Sequence, residues 1–442
     1  MLSFDLFRFV SFLETARPTT MDDVQKRALD LVVNKRENIF LTGAAGTGKS
    51  FTIHEIAKTL RGLGKRVDIT ATTGVAAENI GGQTLHSWAG FGLGKHGSVS
   101  KALKVINKRD DVLYSWKFTD VLIIDEVSML DVDYFCLLDK VGRKLRSSSN
   151  SSVSSKRDAR GHLKSPSLPF GGIQLLLSGD FFQLPPISGR FIFEVDIWYR
   201  VVRDNVVVLE KVYRQQSDLP FVEMLMALRD GTITDEQIKV LQATATKRRS
   251  VKSGDICPTR LFCRRVDVAS RNLTELSKLP GQEYVLVAQS RGKNNKTHNF
   301  RYPETIRIKV YAQVMLLQNM MSVGLVNGSR GVVVKVDEDA VHVHFMNGLT
   351  YPITRVEESS EDGKNTRAQF PLQLAWCITV HRAQGLSIDL LDVDMRGCFA
   401  PAQSYVALSR SRTLDGLRVF NFDRSAVKTS DKVSIYYNSV IS

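Results

Sequence analysis

Eight consecutive residues, Gly43-Ala44-Ala45-Gly46-Thr47-Gly48-Lys49-Ser50, satisfy the pattern G-x-x-x-x-G-K-[ST]. Glycines at this spacing permit a tight turn whose backbone N–H groups converge on phosphate oxygens. The lysine of such a turn reaches the β- and γ-phosphates and the hydroxyl binds Mg2+; here these are Lys49 and Ser50. Asp125-Glu126 adds two adjacent carboxylates with separable roles. Asp125 would hold Mg2+, directly or through water, and Glu126 would polarise an attacking water as general base. Before the loop, Gln25 offers the amide donor and acceptor that match an adenine edge. The chemistry this set spells is hydrolysis of a nucleoside triphosphate, with ATP and Mg2+ as the cofactors.

The elements needed to position these residues are legible around them. Asn38–Thr42 reads as a short apolar strand entering the glycine turn, and Ile53, Ile56, Ala57 and Leu60 recur at helical spacing, so a helix begins near Lys49. Positive potential at that helix N-terminus favours phosphate. Val121–Ile124 is a continuous apolar run bounded by Asp120 and Asp125, as expected of a strand buried on both faces. It delivers Asp125 and Glu126 to the carboxyl edge of a parallel sheet, where ligands of such folds bind. Ile173–Leu177 repeats the pattern before Ser178-Gly179-Asp180, and Gln25 opens a helix carrying Ala28, Leu31 and Val32. This alternation predicts βαβ units. In the second half, Val332–Val334 and then Val341, Val343 and Phe345 predict strands of a small β-rich module at 300–370. His342 and His344 would share one strand face, where solvent exposure is the expected role rather than metal binding.

Composition narrows the partners. The chain has 442 residues, 60 Lys+Arg against 46 Asp+Glu and a net charge of +14, which suggests two to four domains and a polyanionic ligand. Residues 247–271 hold eight Lys/Arg, and 291–310 is also basic, so a positive face is expected in the second half. The cysteines Cys136, Cys257, Cys263, Cys377 and Cys398 are odd in number and form no C-x-x-C pair, so neither a disulfide framework nor a zinc site is indicated. No apolar run is long enough to cross a bilayer. The opening residues 1–18 mix apolar residues with Asp5, Arg8, Glu14 and Arg17, a poor secretory signal that leaves a mitochondrial presequence as an alternative to the nucleus. Residues 147–167, rich in serine and basic residues, read as an exposed, disordered insertion. Asn107-Lys108-Arg109-Asp110 matches the N-K-x-D tetrad of GTPases, but it precedes Asp125 and ends a helical stretch, the wrong order and context for guanine recognition.

The blocks GAAGTGKS (43–50), TATTGVAA (70–77), TLHSWAG (84–90), VLIIDEVSML (121–130), LLSGDFFQLPP (176–186), LEKVYRQ (209–215), ITVHRAQGLSID (378–389) and SYVALSRSRTLDGLRVFNF (404–422) follow one another in a recognisable order. With Gln25, the helix FVEMLMALRDG (221–231) and GLVNGSRGVVV (324–334), the series resembles the Pif-type (petite integration frequency) branch of superfamily-one DNA helicases, relatives of RecD, from about residue 20 to 423.

The resemblance implies two RecA-like P-loop NTPase lobes with parallel sheets: a tail at 1–20, a first lobe at 21–205 with a small wedge at 91–117, and a second lobe at 206–442 with an SH3-like β insertion at 300–370. It implies that Gln183 senses the γ-phosphate and that Arg214 and Arg410 act as arginine fingers reaching across a nucleotide cleft from the second lobe. It assigns DNA contact to Thr72, His86 and Trp88, and to His381, Gln403, Ser404, Tyr405, Val406, Ala407, Ser409 and Arg412. Trp88 could equally be core, and His86 could simply hydrogen-bond a loop. The activity implied is ATP-driven five-prime to three-prime translocation on single-stranded DNA with unwinding of duplex or forked DNA in genome maintenance, by a monomer that contains both faces of the cleft. A translocase that strips or remodels without separating strands is the alternative. Arg382-Ala383 stands where the family usually shows Lys-Ser, which keeps a charge but removes a hydroxyl. The insertion at 147–167 matches no family feature.

Overall fold

The computed structural model describes residues 20–92, 98–147, 156–157, 163–164, 168–247, 257–292, 300, 302–325, 327–359 and 365–441. The expected tail at 1–20 falls almost wholly outside them, as does most of the serine-rich stretch, of which only a two-residue strand pair, Lys156–Arg157 with Leu163–Lys164, is described. The chain forms two compact units, residues 1–230 with 429–442, and residues 231–428.

The first unit is built on six parallel strands in the order Gln83–Thr84, Val67–Ala71, Val121–Asp125, Gln174–Gly179, Ile39–Gly43, Val206–Leu209. The strands expected from apolar runs appear within a residue or two of their expected bounds. Their side chains alternate between two cores, as the strand period of two requires. Phe40, Leu122, Ile124, Leu175 and Leu177 face one, with Trp198 and Tyr436. Ile39, Leu41, Val121, Ile123 and Leu176 face the other, against Ile53, Ile56 and Leu60 of the helix Lys49–Gly62. Parallel strands covered on both faces explain why these runs are continuously apolar. The stretch expected to form a wedge holds the helices Val99–Ile106 and Asp110–Phe118, with residues 93–97 outside the described set. Asn107 caps the first of these helices and Asp110 opens the second, so the N-K-x-D string is a helix–helix junction.

Sequence alone places the lobe boundary at 205/206, and the structure moves it. Val206–Leu209 is an edge strand of the first sheet, with Gly43 opposite Leu209, and the helix Leu219–Asp230 stays with the first unit. The helix Asp431–Ile441 also belongs there, burying Val433, Tyr436 and Tyr437 in its core. An edge strand cannot be assigned to a sheet from its own residues, because the partner that supplies its hydrogen bonds lies far away in sequence.

The second unit carries a four-stranded parallel sheet, Cys377–Thr379, Thr259–Phe262, Leu391–Asp394, Leu417–Phe420. Beside it in sequence lies an antiparallel module whose five-stranded sheet runs Thr350–Thr354, Ala340–Phe345, Arg330–Val336, Gln313–Leu316, Leu372–Leu374. Shorter pairs extend it back to Tyr284, so it is wider than the expected 300–370. Val341, Val343 and Phe345 are buried. His342 and His344 point the other way, His342 Nε2 lying 2.9 Å from Asp337 Oδ2 and His344 Nδ1 2.8 Å from Thr350 Oγ1.

Phe40 is fully buried, with the rings of Phe181 and Trp198 each 5.0 Å away. Replacing a buried phenylalanine by alanine costs about 3–5 kcal/mol. Phe40→Ala should therefore lower the urea unfolding free energy by about that amount; a loss below about 1 kcal/mol would show that the core closes over the gap.

Candidate nucleotide and strand-binding sites

The glycine-rich turn leaves the strand Ile39–Gly43 and enters the helix Lys49–Gly62. Gly46 and Gly48 have φ of +85° and +90°, a left-handed conformation that side chains resist. Space forbids them as well: a Cβ on Gly46 would lie 2.6 Å from Arg214 Cβ, and one on Gly48 would lie 2.8 Å from Gln25 Nε2. Lys49 Nζ folds over the turn, donating to Gly43 O at 2.7 Å and Ala44 O at 2.9 Å. Thr47 is buried and its Oγ1 donates to Ala44 O at 3.0 Å, while Ala45 is buried and Ser50 is exposed at the start of the helix. Burial lowers the pKa of the Lys49 ammonium; Asp180, Glu126 and Asp125 oppose that shift, in that order. Three carboxylates therefore face the lysine.

Asp125 ends its strand 6 % exposed, and burial raises its pKa against the Ser178 hydroxyl, the Glu126 N–H and the charge of Lys49. Glu126 occupies the left-handed region at φ 55°, ψ 42°, an unusual state for a non-glycine residue and of the kind found at functional sites. Thr72, expected to touch DNA, donates its Oγ1 to Glu126 O at 2.8 Å, so it braces this turn. Gln183 is buried, and its N–H donates to Asp180 O at 2.8 Å. Asp180, which the sequence reading leaves without a role, is fully buried and held by Arg229 through Nε at 3.0 Å and Nη2 at 2.9 Å. The fork-to-carboxylate geometry explains how a buried charge is tolerated.

Arg214 requires a correction. Expected to reach in from a second lobe, it belongs to the unit that carries the phosphate loop. The pairing of Gly43 with Leu209 carries the next residues along the loop, and the N–H groups of Tyr213 and Arg214 donate to Gly46 O at 2.8 and 3.3 Å. Tyr213 OH donates to Asp22 Oδ2 at 2.8 Å. Asp22 caps the helix Asp23–Val33 in a reciprocal box with Gln25, whose Oε1 accepts from Asp22 N at 3.1 Å. The box leaves Gln25 Nε2 buried without a partner among the described residues. The capping signal was visible in the sequence as Asp22 three residues before Gln25.

His86 is half-buried, its ring 4.6 Å from that of Tyr134, and burial lowers its pKa. Trp88 departs from the strand-contact expectation: it is 2 % exposed, lies 4.6 Å from the Trp116 ring, and its Nε1 donates to Asp68 Oδ2 at 2.8 Å. It is core, the other role its sequence allowed, because burial with a satisfied N–H leaves no face for a base.

In the second unit the helix Gln403–Leu408 is buried throughout. The side chains of Gln403, Ser404, Tyr405, Val406, Ala407 and Ser409 are therefore inaccessible to a strand, against expectation. Gln403 Oε1 instead accepts from Phe399 N at 3.0 Å and Ala400 N at 3.2 Å, holding the preceding turn. Arg410 is 2 % exposed, donating through Nε to Val406 O at 2.8 Å and through Nη2 to Ser409 Oγ at 2.8 Å. Arg412 is exposed and paired with Asp389 at 3.3 Å. His381 and Arg382 are exposed on the helix Val380–Ala383, with Arg382 bonded to Gln373. Loss of hydration and then the nearby charge of Arg265 hold both below their ordinary pKa. Arg265 and Arg382, two cations held near each other, suit an anion, with the His381 ring beside them as a hydrogen-bonding group.

Nucleotide fits the first of these sites. Its turn places donors and a lysine for phosphates, and an orphaned buried amide, Gln25 Nε2, waits for an acceptor such as a base ring nitrogen. Asp125 and Ser50 supply the oxygen donors that Mg2+ prefers.

A profile of the PIF1-like helicase family matches residues 20–239, and one for the 2B domain of the DNA helicase Pif1 matches residues 293–336. The chain is 33% identical to the ATP-dependent DNA helicase RRM3 of Saccharomyces cerevisiae, over 95% of this chain and 68% of that one. It spans 62–68% of the length of the curated relatives it matches. The crystal structure of a Pif1 helicase from Candida albicans superposes with a TM-score of 0.84 at 34% identity, covering 96% of this chain and 100% of that one. A Bacteroides Pif1 helicase in complex with ADP-AlF3 and single-stranded DNA follows at a TM-score of 0.72 and 25% identity, over 96% and 97% of the two chains.

The raised pKa of Asp125 means that the folded protein binds this proton more tightly than the unfolded chain does. By linkage, stability falls as pH rises from the ordinary carboxylate range through the raised value, and stays lower above it. Asp125→Asn should therefore melt higher than wild type at neutral pH, without nucleotide or metal, by about 2–4 °C for each kcal/mol relieved. The gap should narrow on acidification while hydrolysis is lost. An unchanged or lower melting temperature at neutral pH would contradict the assignment.

Proposed function

Because the chain belongs to the PIF1-like helicase family, we propose that it is an ATP-dependent DNA helicase, moving five-prime to three-prime on single-stranded DNA and opening forked or structured duplex in genome maintenance. The observation that carries this reading is Lys49 folded over the phosphate loop and facing Asp125, Glu126 and Asp180. The turn 43–50 would hold the phosphates of ATP, and Gln25 and Tyr213 would take its base. Lys49 exchanges its two carbonyl partners for phosphate oxygens, a trade of neutral acceptors for charged ones that favours the bound state. Glu126 takes the proton of the attacking water, held in place by Thr72. When bound, Mg2+, on Ser50 and Asp125, supplies neutralisation of phosphate charge.

Gln183 reports the γ-phosphate, and Arg214 and Arg410 complete the charge balance as it develops. Arg214 does so from the loop's own unit, and Arg410 must first give up its bonds to Val406 and Ser409. On the second unit His381, Arg382, Arg265 and Arg412 take the strand's phosphates, and His86 offers a contact from the first. The buried residues 403–409 scaffold Arg410 and Arg412 rather than touch the strand. One copy carries every one of these groups, so a monomer suffices, and nuclear or mitochondrial DNA is the substrate it would meet.

On a five-prime-tailed duplex with ATP the wild type should displace a strand, and a three-prime tail should not support it. Lys49→Ala should lower ATP turnover by at least about 10²–10³, the loss typical of one preorganised donor at a developing charge. DNA-stimulated turnover with no displacement on either tail would replace the helicase with a translocase. Trp88→Phe removes the bond to Asp68 and should lower the melting temperature while leaving affinity for a single strand unchanged; a large fall in affinity would return Trp88 to the strand-binding set.

A further inference from the structure

Tyr437 lies on the helix Asp431–Ile441, and none of the motifs above includes it. Its hydroxyl is buried in the first unit, 2.6 Å from Thr42 Oγ1. Phe181 N donates to it at 3.2 Å, and it faces Asp180 Oδ1 at 3.4 Å. With Thr42 as the donor, the hydroxyl uses its one proton and both lone pairs, all that a phenol has. Burial and the Asp180 carboxylate keep the phenol protonated, so it remains a donor.

These partners come from two loops. Thr42 immediately precedes Gly43, whose carbonyl accepts from Lys49. Asp180 and Phe181 lead into Gln183 and follow Gly179, which pairs with Thr42 across the sheet. The ring is held as firmly as the hydroxyl: it stacks on Phe182 at 5.1 Å and 9°, and the Arg229 guanidinium lies 4.3 Å from the Phe182 centroid while gripping Asp180. A phenylalanine would fill this space equally well. The hydroxyl therefore adds a tie between the loop that holds the phosphates and the loop that carries Gln183.

We propose that Tyr437 is a positioning residue for ATP hydrolysis, fixing the phosphate loop relative to the Gln183 loop through its hydroxyl. The proposal rests on the hydrolytic reading of the same site. Tyr437→Phe leaves Thr42 Oγ1 and Phe181 N buried without this partner, and buried polar groups relax toward whatever acceptors or donors they can reach. Displacement of a reacting group by about 1 Å can cost about 10²-fold in rate, so a fraction of that shift should cost about tenfold.

The test measures DNA-stimulated ATP turnover and the dissociation constant of a fluorescent ATP analogue for wild type, Tyr437→Phe, Thr42→Val and the double variant. Each is assayed at a temperature where circular dichroism shows it folded. The expected result is kcat down about tenfold in either single variant, with analogue affinity within about twofold, the signature of an interaction realised in the transition state. The double variant should be no slower than Tyr437→Phe alone, because that change already removes the bond to Thr42. If Tyr437→Phe fails to fold, Thr42→Val, which removes the same bond from its other end, decides the matter. Turnover within about twofold of wild type in the folded variants, or losses that multiply in the double, overturns the proposal. A wild type that does not hydrolyse ATP overturns both this and the proposed function, whereas a hydrolysing wild type matched by Tyr437→Phe overturns this one alone.

Discussion

The strand Ile39–Gly43 sits between Gln174–Gly179 and Val206–Leu209, and that pairing sets where three of the candidate site's loops leave the first unit's sheet. Each neighbour ends level with it, so three loops leave the sheet at one edge. The first carries the phosphate turn and Lys49. The second carries Asp180, Phe181 and Gln183, and the third carries Tyr213 and Arg214. One strand further on, Val121–Asp125 delivers the acidic pair. Parallel sheets concentrate function at the carboxyl edge because every strand points its end there.

That edge is electrostatically expensive to build. Three carboxylates act on Lys49 electrostatically, and burial opposes the charged form of both Lys49 and Asp125. The third carboxylate, Asp180, is stabilised by the fork of Arg229 and by the N–H of Phe182. Glu126 has its own cost in a left-handed backbone conformation. Structural residues thus serve to hold reactive ones in states they would not otherwise adopt, and Thr72 bonded to the Glu126 carbonyl is one of them.

The second unit separates scaffold from surface in a similar way. The helix Gln403–Leu408 is buried and fixes the chain on either side of it, while His381, Arg382 and Arg412 stand exposed. A motif read as one binding block is therefore two layers, an inner one for packing and an outer one for charge.

The order of motifs in this chain determined by itself that a phosphate turn and an acidic pair would meet at a parallel-sheet edge, since strand hydrophobicity and glycine spacing are local properties. The apolar strands and the helix after Lys49 follow from the same local rules. What needed the tertiary structure was which distant elements share a sheet or a core. Val206–Leu209 and Asp431–Ile441 join the first unit through pairing and packing that no local pattern encodes. Burial of Trp88, and of 403–409, had the same origin, because an aromatic or apolar residue reads alike whether it will face a base or a neighbouring helix. Only the assembled fold, by placing Asp68 and Trp116 beside Trp88, and Thr42 and Asp180 beside Tyr437, decided what each of these side chains is for.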